Sequence, residues 1–338
     1  MKKQLLLFLM MLLPIMACAD AIEINGIYYN LINKSKRAEV IKGDKDYSGN
    51  IVIPDVIGYE GTLFSVVTIT NQSFKSSSIE SVIIGDNVES IENGAFEECY
   101  SLSNIKFGNK IKTIGGAAFR KCWGLKKIEI PNNIEIIYSE AFYDCRNVES
   151  IILNNGLKRI CPTSFANCQG VKKITIPGSV SIIEKEAFVH CKKLQEVRIE
   201  DGVKELQMSC FGHCTELSTV YYPTSIEKTS CPFLGCENII SVYIPDLSVC
   251  YNGGLDMSES HYNIYVDEEK ITDIFIPENV SSIANNAFSS CISIEKVVIP
   301  NSVSYIGYSA FYGCSNLKSI NIPQSLTSIL ESTFENCI

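Results

Sequence analysis

The chain has 338 residues, is 46% hydrophobic and carries a formal net charge of −9. That is enough apolar material for a sizeable core, and the length allows one to three domains. Lys and Arg are scattered singly, with no basic run and no basic–aromatic interleaving, which argues against nucleic acid as a partner.

Lys2 and Lys3 precede an apolar run from Leu5 to Met16, followed by the small residues of "MACADA". A basic start, an apolar middle and a small-residue end read as a bacterial secretory leader over residues 1–21. The run is too short to span a bilayer comfortably. Two cuts are open. Ala19 and Ala21 form an Ala-x-Ala site that starts the mature chain at Ile22, the favoured reading. Ile15-Met16-Ala17-Cys18 instead resembles a lipobox that would lipidate Cys18 and tether the chain to a membrane.

Residues 22–73 read as a β-rich cap. Asn25-Gly26 stands between alternating apolar stretches in "IEINGIYYNLI", a strong hairpin signal. "RAEVI", "GNIVIP" and "LFSVVTI" supply further strands. Asp44, Asp46, Ser48 and Asp55 have the spacing of a calcium-binding loop. No amphipathic helix flanks them, and the same residues are ordinary in turns, which is the preferred reading.

From there the chain repeats. Phenylalanines at 74, 96, 119, 142, 165, 188, 211, 233, 288, 311 and 334 are 22 or 23 residues apart, except for one step of 55. Cysteine follows three residues later at Cys99, Cys122, Cys145, Cys168, Cys191, Cys214, Cys236, Cys291, Cys314 and Cys337; the first unit has Ser77 there. An apolar pair precedes the Phe, as in Val88/Ile91 and Val180/Ile183. Leu-x-x-Ile-x-Ile, often closed by Pro, follows the Cys, as in Leu125/Ile128/Ile130/Pro131.

One such unit cannot bury these side chains alone, so the units must stack as coils of a solenoid. Ile-x-Ile predicts a short strand in a parallel ladder, with coils about 4.8 Å apart. Phe and Cys at i and i+3 predict one short α or 3₁₀ turn on the opposite side. The closing Pro ends the strand.

This unit resembles the BspA-like leucine-rich repeat family, whose consensus is close to "IP-xx-V-xx-IG-xx-AF-xx-C-xx-L-xx-I-x-IP". The likeness runs from about Ile51 to the C-terminus through ten units. It implies an α/β-type leucine-rich repeat solenoid with its β ladder on the concave side. It also implies an exported bacterial protein, secreted or displayed at the cell surface, with adhesion to host or matrix proteins among the family's roles.

Cysteine usage in an exported chain ordinarily suggests disulfides. Here ten cysteines share one column, where parallel side chains cannot converge on each other. A buried thiol packs as a small hydrophobe, so the column reads as core. Cys18, Cys161, Cys210, Cys231 and Cys250 lie off it. Cys210 and Cys231 are one coil apart and could bridge. Cys210, His213, Cys214, Cys231 and Cys236 have zinc-like spacing, and His190 and His213 repeat one coil apart. Two of those cysteines belong to the buried column, so surface imidazoles are the simpler reading.

The solenoid is expected over 74–245, with an irregular insert over 246–272 and further repeats over 273–338. Within the insert, "HYNIYVDEEKITDIFIP" predicts a hairpin about Asp267–Lys270, and Asp246–Glu259 a loop leaving the solenoid. The chain stops inside a coil, so the expectation is a fragment or a covered end.

One outward column of the strands reads Ile83, Lys106, Glu129, Ile152, Thr175, Arg198, Tyr221, Tyr243, Val298, Asn321. Arg198, Tyr221 and Tyr243 fall in successive coils, beside a loop that adds Tyr262 and Tyr265. Tyr and Arg dominate binding hot spots, although tyrosine also suits strands by propensity alone. These five residues are the candidate ligand site. A protein-binding surface is the first reading, and a carbohydrate site with tyrosines as stacking platforms is the alternative. No Gly-x-Ser-x-Gly, His-Glu-x-x-His or P-loop is present. No enzyme and no cofactor is expected.

Overall fold

A 23-residue unit holds enough chain for two short strands and the bends between them, and the coils from Phe74 to Phe233 form just that. The computed structural model describes residues 21–337 apart from 254, 256, 258 and 259, so the leader and Cys18 lie outside the described residues. The predicted ladder is present. Lys173–Ile176, Glu196–Ile199, Thr219–Tyr221 and Ser241–Ile244 pair in parallel, each residue opposite its equivalent one coil on. Their Ile and Val side chains alternate inward, as in Ile174, Val197, Val220 and Val242.

A second parallel ladder was not expected. Ser90–Ile91, Thr113–Ile114, Ile136–Ile137, Arg159–Ile160, Ile182–Ile183 and Glu205–Leu206 pair in sequence order. Two-residue strands carry no alternation to read, so the sequence displayed only their buried member.

The Ala-Phe-x-x-Cys segment is not a helix; the sole α-helix among the described residues is the four-residue Ser248–Tyr251. Its backbone alternates instead. The N–H groups of Ala118, Arg120 and Cys122 bond back three residues, to Gly115, Ala117 and Phe119. The N–H groups of Ala117, Phe119 and Lys121 cross to Ser139, Ala141 and Tyr143 of the next coil. This alternation places Ala117 and Lys121 at φ 53° and 59°. The equivalent residues of neighbouring coils, such as Glu140, Asp144, Thr163 and Asn167, are left-handed too. A left-handed L-residue costs on the order of 1 kcal/mol, and the inter-coil hydrogen bonds offset it.

Register then dictates the core. Phe119, Phe142, Phe165, Phe188 and Phe211 stack with ring centroids 5.2 or 5.3 Å apart and near-parallel planes. Beside them the Cys column is buried, as expected, but packing is only half of its role. Each thiol donates to the Phe carbonyl of the preceding coil: Cys122 to Phe96 and Cys145 to Phe119, both at 3.2 Å. Such bonds are individually weak, yet no other small apolar side chain can make them. Cys291, with no Phe one coil earlier, contacts the Ser293 hydroxyl at 3.3 Å.

At the N-terminus, Ile22–Ile24 and Ile27–Ile32 form the expected hairpin, with Asn25 and Gly26 at φ 51° and 80°. The cap merges with the coils. Ser48–Ile53 already pairs in parallel with Ser78–Ile84, and Thr62–Ile69 with Ser90–Ile91. The first coil thus begins ahead of the residue-73 boundary.

The insert also differs from its expectation. The expected Asp246–Glu259 loop packs back onto the solenoid where it is described, since Val249, Cys250, Leu255 and Met257 are buried in the common core. Asn263–Val266 and Glu269–Lys270 form the hairpin, and the first of these strands also continues the main ladder beside Ser241–Ile244.

Two outcomes follow for stability. Phe165→Ala removes a ring from mid-stack and should cost about 3–5 kcal/mol, read as a lowered denaturant midpoint. Ala117→Gly should instead stabilise, by up to about 1 kcal/mol, because glycine adopts positive φ without strain. A third outcome is pH-dependent. Burial pushes the Cys99 thiol from 9.0 up to about 12 and drives those of Cys122 and Cys168 up as well. The unfolded chain releases these protons near 9.0 while the native state keeps them. Stability is therefore full below pH 9 and should fall as pH rises towards 12, and the buried ladder thiols from Cys99 to Cys314 should resist alkylation at pH 8 until the protein unfolds, unlike the part-exposed Cys337.

Candidate functional site

Parallel pairing without slippage turns a spacing of 22 or 23 residues into a line of touching side chains. On the outward face of the main ladder, Arg198, Tyr221, Tyr243 and Tyr265 are opposite one another in four successive strands. The Arg198 guanidinium carbon lies 3.6 Å from the Tyr221 ring centroid. Tyr221 and Tyr243 stack at 4.6 Å, and Tyr243 and Tyr265 at 4.7 Å, with interplanar angles of 16° and 19°. Cation–π contact and offset stacking both stabilise such a file. Burial between its neighbours, and then the adjacent tyrosines, raise the Tyr243 hydroxyl above its ordinary pKa.

The stack forms one wall of a groove of about 380 Å³. The bends that follow the strands supply Glu200, Asp201, Pro223 and Pro245. The hairpin turn closes it with Asp267 and Glu268, both left-handed at φ 47° and 65°. One fixed cation, three ring edges with their hydroxyls and four carboxylates therefore converge on one concavity.

Four of the five predicted residues meet here, and Tyr262 does not. It is buried with 1% exposure, and its backbone stitches the insert to the coil beyond: its N–H donates to Ser290 and its carbonyl accepts from Ile292. Tyr262 precedes an inward Ile264, so alternation puts its neighbours, not itself, on the outward face. Tyr265, by contrast, is a full member of the column. Its 22-residue step from Tyr243 repeats the step from Tyr221, a signal masked by the 55-residue gap in the Phe column.

The calcium-loop spacing dissolves in the fold. Ser48 opens a six-residue strand, leaving Asp44 and Asp55 at its opposite ends. Asp44 accepts from the Tyr28 hydroxyl, and Asp55 from the Asn87 N–H at 3.1 Å. His190 and His213 stack at 5.0 Å, and burial, then the neighbouring imidazole, lowers the pKa of His190. Among the described residues no three His, Cys, Asp or Glu are placed to hold a metal ion. Cys210 is an unbridged thiol inside the core while Cys231 lies at the surface, so the bridge between them is not formed. A second file went unnoticed in the sequence: Tyr100, Trp123 and Arg146 stack one coil apart, at 4.4 and 4.2 Å.

The BspA type leucine rich repeat region model matches in six copies, over residues 67–169, 135–252 and 260–338. No curated protein matches the sequence. Among solved structures, the pneumococcal vaccine antigen PcpA is 19% identical with a TM-score of 0.54, over 91% of this chain and 82% of its own. The Treponema pallidum leucine rich repeat protein is 21% identical with a TM-score of 0.51, over 58% and 90%. A leucine rich cell surface protein from Faecalibacterium prausnitzii is 22% identical with a TM-score of 0.48, over 89% and 94%. At these identities the likeness is one of fold. The repeat match, spread over most of the sequence and carried by the same Phe, Cys and Ile-x-Ile columns that build the coils, makes this chain a member of the BspA-type leucine-rich repeat family.

Proposed function

We propose that the protein is an exported or surface-displayed binding scaffold, and that it engages a host or matrix protein through the Arg198–Tyr221–Tyr243–Tyr265 groove. The observation that carries this reading is the unbroken four-coil stack with acidic walls. It presents large, rigid side chains whose ordering cost is already met in the free protein, the property of a hot spot. The leader-like N-terminus and the family membership support export. Membership of a leucine-rich repeat family supports a scaffold rather than an enzyme.

The carbohydrate alternative is the weaker of the two on geometry. Sugar rings stack on open aromatic faces, whereas here the faces of Tyr221 and Tyr243 are covered by Arg198 and by one another. Ring edges and hydroxyls remain, and these suit peptide carbonyls and N–H groups.

The test is binding of residues 22–338 to a panel of matrix proteins and, separately, to protein-free glycans, alongside Tyr221→Ala/Tyr243→Ala. Removing two stacked rings should weaken protein binding at least about 30-fold, taking about 2 kcal/mol as the hot-spot threshold. Binding to glycans alone would promote the alternative, and protein binding untouched by the variant would move the site elsewhere.

A further inference from the structure

Several lysines of this solenoid, Lys75 and Lys112 among them, pair with a glutamate one coil away. Lys121–Glu98, Lys173–Glu196, Lys204–Glu227 and Lys318–Glu295 all approach within 2.9 Å. In one region cations of successive coils gather in a shared groove. Lys126, Arg146, Lys172 and Lys193 belong to four successive coils and line one groove of about 750 Å³ on the segment between the Cys column and the strand. Coils are about 4.8 Å apart, so one cation per coil makes a row about 14 Å long. Among the described residues Lys172 and Lys193 form no ion pair, and neither does Lys192 beside them. Lys126 reaches Glu149 only at 3.7 Å, with both side chains largely exposed. Arg146 is held in place by the Trp123 ring beneath it and by Asp144 at 2.7 Å.

The remaining lining is Asn147, Gln169, Gly170 and one carboxylate, Glu149, the partner of Lys126. Asn147 is oriented by donating to the Trp123 carbonyl at 2.8 Å, which leaves its own amide oxygen as an acceptor. Gly170 keeps the floor low, since a Cβ there would lie 2.6 Å from the Val148 carbonyl oxygen. No exposed apolar side chain lines the groove. A peptide partner needs apolar or aromatic anchors for most of its affinity, and single-stranded nucleic acid needs open aromatic faces. Here both faces of Trp123 are taken, by Tyr100 and by Arg146. A row of cations with amides between them fits a ligand that is itself a row of anions and hydroxyls.

We propose that this groove binds a linear sulfated polysaccharide lying along the solenoid axis, at a site separate from the tyrosine groove. Binding should be electrostatic and therefore steeply salt-dependent. The experiment uses heparin, chemically desulfated heparin, polyglutamate and a single-stranded oligonucleotide as probes. They are titrated at several salt concentrations against the parent chain, against Lys172→Glu/Lys193→Glu, and against Lys106→Glu, a surface reversal on the strand face. The far-UV spectrum and unfolding midpoint of each variant establish that it is folded. Heparin should bind and the desulfated form should not. The double reversal should lower heparin affinity at least about tenfold, with a shallower salt slope, while Lys106→Glu stays within about twofold. No heparin binding would overturn the proposal, as would equal loss in both variants. Polyglutamate or oligonucleotide binding as tightly as heparin would also overturn it.

Discussion

Everything in this molecule depends on a backbone constraint: each coil must hydrogen-bond to the next in register on three sides. Two sides are parallel strands. The third is the Phe turn, where alternate N–H groups point along the axis and left-handed residues flank the Phe two positions before and after it. Without that alternation the turn would close on itself as a helix, and the coils would meet only through side chains. With it, coil spacing is fixed at a strand's width all round, and every column of equivalent residues becomes a line of neighbours. The Phe stack, the thiol-to-carbonyl bonds and the tyrosine file are consequences of that one spacing acting on different residue types.

The same rule governs the surface. A glutamate placed one repeat from a lysine is within reach of it, so the recurring Lys–Glu pairs arise from the period rather than from local sequence. Exposed pairs of this kind contribute little stability individually. At Arg198 the charge meets an aromatic face, and in the Lys126–Lys193 row two of the four cations, Lys172 and Lys193, form no ion pair among the described residues.

Columns whose residue type is invariant were legible in the sequence. Phe119 and Cys122 recur as Phe142 and Cys145, and that alone led to coils, core and inward Ile-x-Ile. Three features were not legible, for different reasons. The two-residue strands of the second ladder are too short to show a period. The Phe turn looks helical, because bonds three residues back are half of its pattern and positive φ leaves no trace in residues as varied as Ala117, Lys121 and Asp144. The cations of the second groove looked scattered, since a linear scan searches for adjacency in sequence while the fold creates adjacency every 23 residues. The candidate site shows both sides: Arg198, Tyr221 and Tyr243 were found by column, whereas Tyr262 and Tyr265 were grouped by proximity and proved opposite in burial.

The insert has a mechanical meaning. The Phe stack runs unbroken from Phe74 to Phe233 and again from Phe288 to Phe334. The main ladder likewise stops at the Glu269–Lys270 strand and restarts at Asp273–Phe275. Between the two blocks, among the described residues, backbone links run from Tyr262 to Ser290 and Ile292 and from Ala284 to Tyr251. Tension along the axis loads the coil interfaces in series, so extension concentrates at the interface with the least holding it. The Phe stack and the main ladder are both interrupted at this joint, and the tyrosine groove sits on its rim: Tyr265 and the acidic turn belong to the hairpin that ends the ladder before it.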